Sequence, residues 1–390
     1  MENEDYFLCA DCSKDIYLKN YVKENAKDQA VCTICLKKGL SLKISENTEL
    51  INFCRFLIRY HFPEYDYNIH WGGEDLPKQF YESNPIISHE FQEYDSRVEE
   101  VEEFLYALFN LFVLDLENKI SIYYGHDSNG RGLFPYSIKD EKSETWMKYK
   151  KALKENNYFL LEKEAREKFS PLLEELRYEI RLGERYSRAR IGYVEEVVTV
   201  GLTEQKVKIK APYRNAEISV PPVTKAKAGR ANRQGVSFLY LASDTVTAIG
   251  EVRPHPGHYV SLGNFVSNQV MHVADLRFID LVKYYCNDEL LELFKFLRDV
   301  SNELSIPILP EEHENYLVTQ FISDIVRQSG FDGILFNSSV SSGYNLVAFN
   351  QKSFDCDSEY SELVKVTSLK FDYKKTTYHI DNWLEKAKEL

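Results

Sequence analysis

The sequence predicts an α+β protein with a zinc-ribbon-like and mainly α-helical N-terminal region, followed by a mixed α/β C-terminal domain. Three observations support this fold class. Two Cys-x-x-Cys pairs lie within residues 1–44, and apolar residues at helical spacing recur between residues 45 and 182. Beyond residue 183, β-branched runs alternate with short helical stretches. We therefore expect a zinc module at 1–44, a mainly helical domain at 45–182, a mixed α/β domain at 183–365 and a tail at 366–390.

Composition and charge limit the classes of partner. The 390 residues are 44% hydrophobic, which is typical of a globular chain. A net charge of −13 disfavours broad binding to nucleic acid or to anionic membranes, since either requires a basic surface. The N-terminus lacks the features of a signal peptide, and the longest nearly apolar stretch, 104–114, is shorter than the roughly 20 residues that span a bilayer. We expect a cytoplasmic protein with no nucleic-acid or membrane partner.

The cysteine pairs predict a structural Zn2+ site. Cys9 and Cys12 are separated from Cys32 and Cys35 by a spacer of 19 residues, so each pair can contribute two thiolates to one tetrahedral ion. With four protein ligands the site would have no open position for catalysis. Residues 1–43 hold seven lysines and seven acidic residues, and this balance gives little support to phosphate contacts. Four ordinary reduced cysteines are the alternative.

The helical region contains three predicted helices and one loop. A helix ending near Pro63 follows from the spacing of Leu50, Phe53, Cys54, Leu57 and Ile58. A second helix is expected over 95–118. Ser170 and Pro171 have the residue types of an N-cap and a first helical position, so they predict the start of a third helix, which Gly183 would end. The glycine-rich segment 125–132 lacks the Gly-Lys-Ser/Thr ending of a phosphate loop and is expected to be a surface loop.

The C-terminal half contains three segments with residues suited to chemistry, at 186–193, 229–254 and 330–349. The middle segment predicts a turn, a strand at 238–241 and a helix capped by Ser243 or Asp244. Glu251 lies two turns into that helix, flanked by Ile249 and Val252, at the edge of the predicted core. A carboxylate there needs a partner because burial of an unpaired charge is costly.

Each candidate also has an ordinary structural explanation when it is considered alone. Glu251 can pair with Arg253 or another arginine, and Ser338 can belong to a simple turn. The four nearby arginines can be ordinary solvated surface residues, namely Arg188, Arg190, Arg230 and Arg233. His255 and His258 are expected in a surface turn. We expect Asp332 and Asn345 to fix turns through side-chain-to-backbone hydrogen bonds.

Taken together, the segments resemble the RES family, which is named for an arginine, a glutamate and a serine. The resemblance rests on the Gly-Arg-Ala-Asn-x-x-Gly turn at 229–235, the Leu-Tyr-Leu-Ala strand at 239–242 and the Thr-Ala-x-x-Glu-Val-Arg-Pro helix at 247–254. It extends over about 185–350. The Cys-x-x-Cys start is similar to the N-terminal region of HEPN/RES-type proteins. The resemblance implies an ADP-ribosyltransferase-like domain with a cleft between two small β-sheets.

The resemblance also implies that the substrate is NAD+ and that the nicotinamide–ribose bond is cleaved by a glycohydrolase or phosphorylase reaction. The family arginines correspond to Arg188 and Arg230, which would bind the pyrophosphate through bidentate hydrogen bonds. Glu251 would stabilise an oxocarbenium-like ribose. The family serine corresponds to Ser338, with Ser339 as a close rival, and would position the nicotinamide or the ribose. Other members of the family imply a role as a toxin or defence effector, with an antitoxin or a regulatory protein as partner.

The sequence leaves three assignments open. Ala189 stands where some family members have a tyrosine, so Tyr193 is the candidate for the nicotinamide ring. A protein ADP-ribosyltransferase is the first alternative function, because a side chain can replace water as the acceptor. A HEPN-type ribonuclease is the second, because Arg55 and His61 have a spacing that fits that loose motif.

Overall fold

The structure, a computed structural model, describes residues 5–45, 47–67, 84–88, 97–109, 136–155, 158–200, 205–222, 224, 226–306 and 316–370. The loop predicted at 125–132, the end of the helix predicted at 95–118 and most of the predicted tail lie outside these ranges. The chain forms two compact units. One comprises Met1–Leu176 with Asp275–Ser329, and the other comprises Arg177–Ala274 with Gly330–Leu390.

Helices and strands are numbered here in chain order over the described residues. The helices are α1 Ile16–Asn25, α2 Thr48–His61, α3 Glu64–Tyr67, α4 Val98–Phe109, α5 Glu144–Glu155, α6 Tyr158–Glu174, α7 Thr245–Glu251, α8 Asp288–Ser305 and α9 Tyr316–Gln328. The strands are β1 Phe7–Cys9, β2 Asp28–Val31, β3 Lys38–Lys43, β4 Arg177–Ile180, β5 Arg185–Ile191, β6 Val194–Val200, β7 Gln205–Ala211, β8 Leu239–Ala242, β9 Tyr259–Ser267, β10 Met271–Asp275, β11 Gly333–Asn337, β12 Tyr344–Ala348 and β13 Phe354–Lys365. Each helix in the described ranges is too short or too polar to span a bilayer.

The first unit begins with a small antiparallel sheet of order β1-β3-β2. Helix α1 follows β1 and is capped by Asp15, whose Oδ1 accepts hydrogen bonds from the backbone N–H groups of Tyr17 and Leu18, each 2.9 Å long. Helix α2 is the helix predicted to end near Pro63. It buries Phe53 and Leu57 completely, which confirms the spacing argument.

Helices α5, α6, α8 and α9 bury an aromatic core in the same unit. The rings of Phe169 and Phe296 stack with their centroids 4.2 Å apart. The prediction that a helix starts at Ser170 and Pro171 is wrong, because α6 runs through both residues and ends at Glu174. The hydroxyl of Ser170 donates to the carbonyl of Arg166, 2.7 Å away within the helix, instead of capping a new one.

The second unit contains an eight-stranded sheet of order β13-β9-β5-β8-β12-β11-β10-β4. Strands β5 and β8 pair only at Ser187 and Ala242, so two groups of strands join at a single point. One face packs on a core that includes Tyr186, Leu241, Phe265, Leu335 and Leu346. Helix α7 packs on the other face, where its Ala248 joins a cluster with Ala189, Ala242, Val260 and Leu262. Strands β6 and β7 form a separate two-stranded ribbon.

Candidate active site

Helix α7 carries the predicted carboxylate. The apolar strand β8 ends at Ala242, and Asp244 then caps the helix by accepting a hydrogen bond of 2.8 Å from the backbone N–H of Thr247. Burial alone would raise the pKa of Asp244, but hydrogen bonds from Thr247 and Ser243 outweigh it and lower that pKa. The strand, the cap and the helix agree with the sequence prediction. Glu251 is the last helical residue and is half-buried.

Two side chains donate to the same oxygen of Glu251. The hydroxyl of Ser338 and the amide nitrogen of Asn345 each lie 2.7 Å from Oε1. Asn345 lies on β12 and is only 6% exposed. The expectation that Asn345 fixes a turn is therefore wrong, because its side chain binds a carboxylate on another element. A polar residue inside the apolar run 344–349 was the signal in the sequence that could have revealed this.

Ser338 is brought to Glu251 by a turn that follows β11. Its backbone N–H donates to the carbonyl of Gly343 over 3.0 Å, and its hydroxyl accepts from the backbone N–H of Val340 over 3.2 Å. Ser339, the rival candidate, has a buried hydroxyl oxygen with no hydrogen-bond partner among the described residues. Of the two serines, only Ser338 contacts the carboxylate in this part of the chain.

The same turn is seated on the start of α7. Ser341 lies 3.0 Å from the hydroxyl of Thr247, oxygen to oxygen. A Cβ on Gly343 would collide with the side chains of Ser243, Asp244 and Thr247. Only glycine allows the turn to approach the helix this closely, so the turn and the helix that carries Glu251 are held together.

The Gly-Arg-Ala-Asn segment forms a loop organised by two polar side chains. The hydroxyl of Tyr240 donates to Oδ1 of Asn232 over 2.7 Å and accepts from the backbone N–H of Ala231 over 2.9 Å. The amide nitrogen of Asn232 donates to the carbonyl of Val236 over 2.7 Å. A Cβ on Gly229 would lie 2.6 Å from Oδ1 of Asn232 and 3.0 Å from the hydroxyl of Tyr240. These contacts explain why the motif needs glycine and asparagine, and they fix the loop that presents Arg230.

Arg230 lies on the same face of the sheet as Glu251. Its guanidinium carbon is 5.9 Å from the centroid of the Phe336 ring. Phe336 on β11 pairs directly with Asn345 on β12, and directly paired residues point to one face of a sheet. Since Asn345 contacts Glu251, the structure brings one predicted arginine to the side that holds the carboxylate.

Arg188 lies on β5 and is held by backbone carbonyls. Its Nε donates to Ile218 over 2.8 Å and its Nη1 donates to Tyr240 over 2.6 Å. Burial, with a smaller contribution from Arg190, lowers the pKa of Arg188 to about 10, so the group is still a cation at neutral pH. The side chain lines a cavity of about 340 Å³ whose other charged lining residue is Lys227. Among the described residues that line it, none is acidic.

Tyr193 packs outside the cluster formed by Glu251, Ser338 and Asn345. Its ring packs edge-on against Tyr259 with a centroid distance of 5.3 Å, and the ammonium nitrogen of Lys210 lies 4.7 Å from the ring centroid. His255 and His258 lie in an exposed turn, as predicted, and their ring centroids are 5.6 Å apart.

Arg55 and His61 lie on α2 in the first unit. Arg55 is 2% exposed. Nε2 of His61 is 2.8 Å from Oδ2 of Asp15, the residue that caps α1. These positions are explained by packing and by the contact between His61 and Asp15 within the unit.

The four cysteines of the paired motifs converge. Their sulfur atoms all lie within 4.8 Å of one another, and those of Cys9 and Cys35 are 3.8 Å apart. Zinc–sulfur bonds of about 2.3 Å in a tetrahedron separate two sulfurs by about 3.8 Å. Cys12 and Cys32 are buried, at 4% and 0% exposure. The four thiols therefore fit a tetrahedral metal ion in number, type and spacing.

One family model matches part of the chain. Residues 205–373, less than half of the chain, match the family model described as RES domain. The RES resemblance drawn from the motifs is thereby confirmed for a region that includes Arg230, Glu251 and Ser338, whereas Arg188 precedes it. The similarity of the N-terminal region to HEPN/RES-type proteins stays a prediction.

One solved structure is similar to part of the chain, namely a chain from the crystal structure of the M. tuberculosis MbcT–MbcA toxin–antitoxin complex. The two chains share 12% identity over 51% of this chain and 92% of that one, with a TM-score of 0.29. That score is too low to carry a fold assignment. A search of curated proteins finds no match.

Proposed function

We propose that this protein consumes NAD+ by cleaving the bond between nicotinamide and ribose. The observation that carries the proposal is the Glu251 carboxylate. It is held by Ser338 and Asn345 at the end of a helix, on the sheet face that also presents Arg230. A fixed, half-buried carboxylate suits a reaction whose transition state carries positive charge on a sugar ring.

The cation-lined cavity suits the dinucleotide part of the substrate. Arg188 donates to two carbonyls but has no carboxylate partner among the described residues, so its charge is available to an anion. Lys227 adds a second cation, and the apolar walls include Phe238 and Tyr240. A nucleotide combines anionic phosphates with an apolar aromatic base, so cations next to apolar and aromatic surface suit it. We assign the pyrophosphate to Arg188, with Lys227 beside it in the cavity and Arg230, the other predicted arginine, as a third cation.

The reaction itself needs no strong general acid. The bond from the ribose C1′ to the nicotinamide nitrogen breaks, and its electron pair stays on that nitrogen and neutralises the pyridinium ring. Positive charge remains on the ribose, where Glu251 stabilises it and accepts a hydrogen bond from a ribose hydroxyl. An acceptor oxygen then bonds to C1′. When the acceptor is water, one proton goes to solvent and the products are nicotinamide and ADP-ribose.

The acceptor is the part of the proposal that needs a product analysis. Purified protein is incubated with NAD+ labelled in the adenosine part, in plain buffer, with inorganic phosphate and with cell extract. We expect free ADP-ribose in plain buffer, or phosphorylated ADP-ribose when phosphate is the acceptor. Label that appears only on protein would replace this proposal by protein ADP-ribosylation. NAD+ that stays intact in all three samples would contradict both.

We also propose that the activity serves as a toxin or defence effector controlled by an inhibitory protein, because unrestrained loss of NAD+ harms the cell that makes the enzyme. Induced expression of the wild-type chain is expected to lower cellular NAD+ and stop growth, and Glu251→Gln is expected to do neither. Equal growth arrest by both chains would separate toxicity from the proposed chemistry.

Zinc is the metal we propose for the four-cysteine cluster, since four thiolates in tetrahedral spacing suit Zn2+. Cys9, Cys12, Cys32 and Cys35 would hold the ion and fasten the ends of the small sheet to the start of α1. Its role is structural, because all four ligand positions come from the chain.

A further inference from the structure

We infer that Asn345 is the positioning residue that orients Glu251, so that Oε2 alone faces the reacting ribose. The inference rests on the proposed function and goes beyond it. It assigns a task to a residue outside the arginine, glutamate and serine of the motif, and it names the carboxylate oxygen that acts.

The backbone of Asn345 is fixed on both sides. It pairs with Ala242 of β8 and with Phe336 of β11, so the residue lies in the interior of the sheet. The side chain is 6% exposed, and its amide nitrogen is 2.7 Å from Oε1 of Glu251. The opposite orientation of the amide would bring its oxygen against a carboxylate oxygen, which is repulsive. The donor role of Asn345 therefore follows from chemistry as well as from geometry.

The two hydrogen bonds to Oε1 fix the orientation of the Glu251 carboxylate. The last torsion of a glutamate side chain is broad, so a carboxylate without partners rotates easily. Ser338 and Asn345 hold Oε1 between them, and Oε2 accepts no hydrogen bond from the described residues. Oε2 is thus the oxygen that can accept a ribose hydroxyl and approach the positive charge on C1′.

Three variants test this assignment. Asn345→Asp keeps the shape but replaces the donor by a carboxylate, and Asn345→Ala removes the group. Asn337→Asp is the matched control. It adds the same charge on the neighbouring strand, at an exposed side chain that is not one of the two hydrogen-bond donors to Glu251. The readouts are kcat and KM for nicotinamide release between pH 5.5 and 8.5, together with the melting temperature.

We expect Asn345→Ala to lower kcat by about tenfold to a hundredfold, with KM changed less than about threefold. Asn345→Asp is expected to lose about a hundredfold in kcat at pH 8.5, where two carboxylates face each other. Its activity relative to wild type should rise at least about tenfold by pH 5.5, because a protonated carboxyl group can again donate to Glu251. Dividing by the wild-type rate at each pH cancels titrations that the two proteins share.

Other outcomes overturn the inference. If both Asn345 variants keep kcat within about threefold of wild type, or if Asn337→Asp behaves like Asn345→Asp, then Asn345 does not position Glu251. A loss of activity that only follows a lower melting temperature, with no pH-dependent recovery, indicates a structural role. If Asn345→Asp does not fold, the kcat and KM of Asn345→Ala decide. Failure of the proposed function has a different result, namely no nicotinamide release by the wild-type protein.

Discussion

The hydroxyl of Ser338 lies 2.7 Å from Oε1 of Glu251, although the two residues are 87 positions apart in the chain. The same hydroxyl accepts a hydrogen bond from the backbone N–H of Val340, so the serine has a defined orientation. One residue thus links the helix that carries the carboxylate to the turn after β11. The contact makes Ser338 the first residue to test after Glu251 itself.

Ser338→Ala is expected to lower kcat by about tenfold to a hundredfold, because a hydrogen bond to a charged group is lost. Ser339→Ala serves as the matched control, since its hydroxyl has no partner among the described residues, and is expected to stay within about threefold of wild type. Initial rates of nicotinamide release give both values. A larger loss for Ser339→Ala would show that Ser339 is the family serine.

Arg188→Gln tests the anion site. Arg188 donates to two backbone carbonyls and has no carboxylate partner among the described residues, and burial with a smaller contribution from Arg190 lowers its pKa to about 10. Pyrophosphate or ADP-ribose is therefore expected to raise the melting temperature of the wild-type protein by several degrees and to have no effect on Arg188→Gln. KM for NAD+ should rise at least about tenfold in the variant.

The control for this experiment is Arg185→Gln on the same strand. Arg185 is exposed and lies 3.3 Å from Asp357, nitrogen to oxygen. Its loss should change neither the ligand-induced shift nor KM. If both variants change the melting-temperature shift and KM equally, ligand binding depends only on the net charge of this surface.

Gly229→Ala tests the loop that presents Arg230. The added methyl group would meet Asn232 and the hydroxyl of Tyr240, and overpacking of this kind costs about 1 to 3 kcal/mol. We expect a lower melting temperature and a higher KM for NAD+. Gly39→Ala is the control, since its Cβ has no heavy atom within 4 Å. A Gly229→Ala protein with wild-type KM would separate the loop from substrate binding.

The order of elements around Glu251 could be predicted because local chemistry determines it. An apolar strand, an aspartate cap and a short helix follow one another, and α7 begins directly after Asp244. The helix boundary at Ser170 and Pro171 could not be predicted in this way. Serine and proline are common at helix starts, but Ser170 also bonds within a helix that is already formed.

The site was predictable only in part, because contacts between residues far apart in the chain are determined by the fold. The motif resemblance selected Arg188 rather than Arg190, two positions away, but only the fold shows how their surroundings differ. Arg188 is half-buried against two carbonyls, whereas Arg190 is exposed and lies over the Tyr213 ring. Asn345 was missed because its partner is 94 positions away. From the sequence alone, an asparagine that binds a distant carboxylate cannot be distinguished from one that fixes a turn.

The cysteine cluster predicts one zinc ion per chain. Purified protein analysed by mass spectrometry for metals is expected to contain it, and Cys32→Ser is expected to lose both the ion and the fold of the small sheet. Cys286→Ser is the control, because that thiol is exposed and lies outside the cluster. Protein that folds and melts identically with and without a strong chelator would contradict a structural metal.

The role of Glu251 is tested by comparing nicotinamide release by the wild-type protein, Glu251→Gln and the control Glu195→Gln, which changes an exposed residue. Chromatography of NAD+, nicotinamide and ADP-ribose over time gives the three rates. We predict that wild type and Glu195→Gln release nicotinamide at similar rates and that Glu251→Gln, which keeps the shape but not the charge, loses at least about a hundredfold. Equal rates in all three proteins would show that Glu251 is not the catalytic carboxylate.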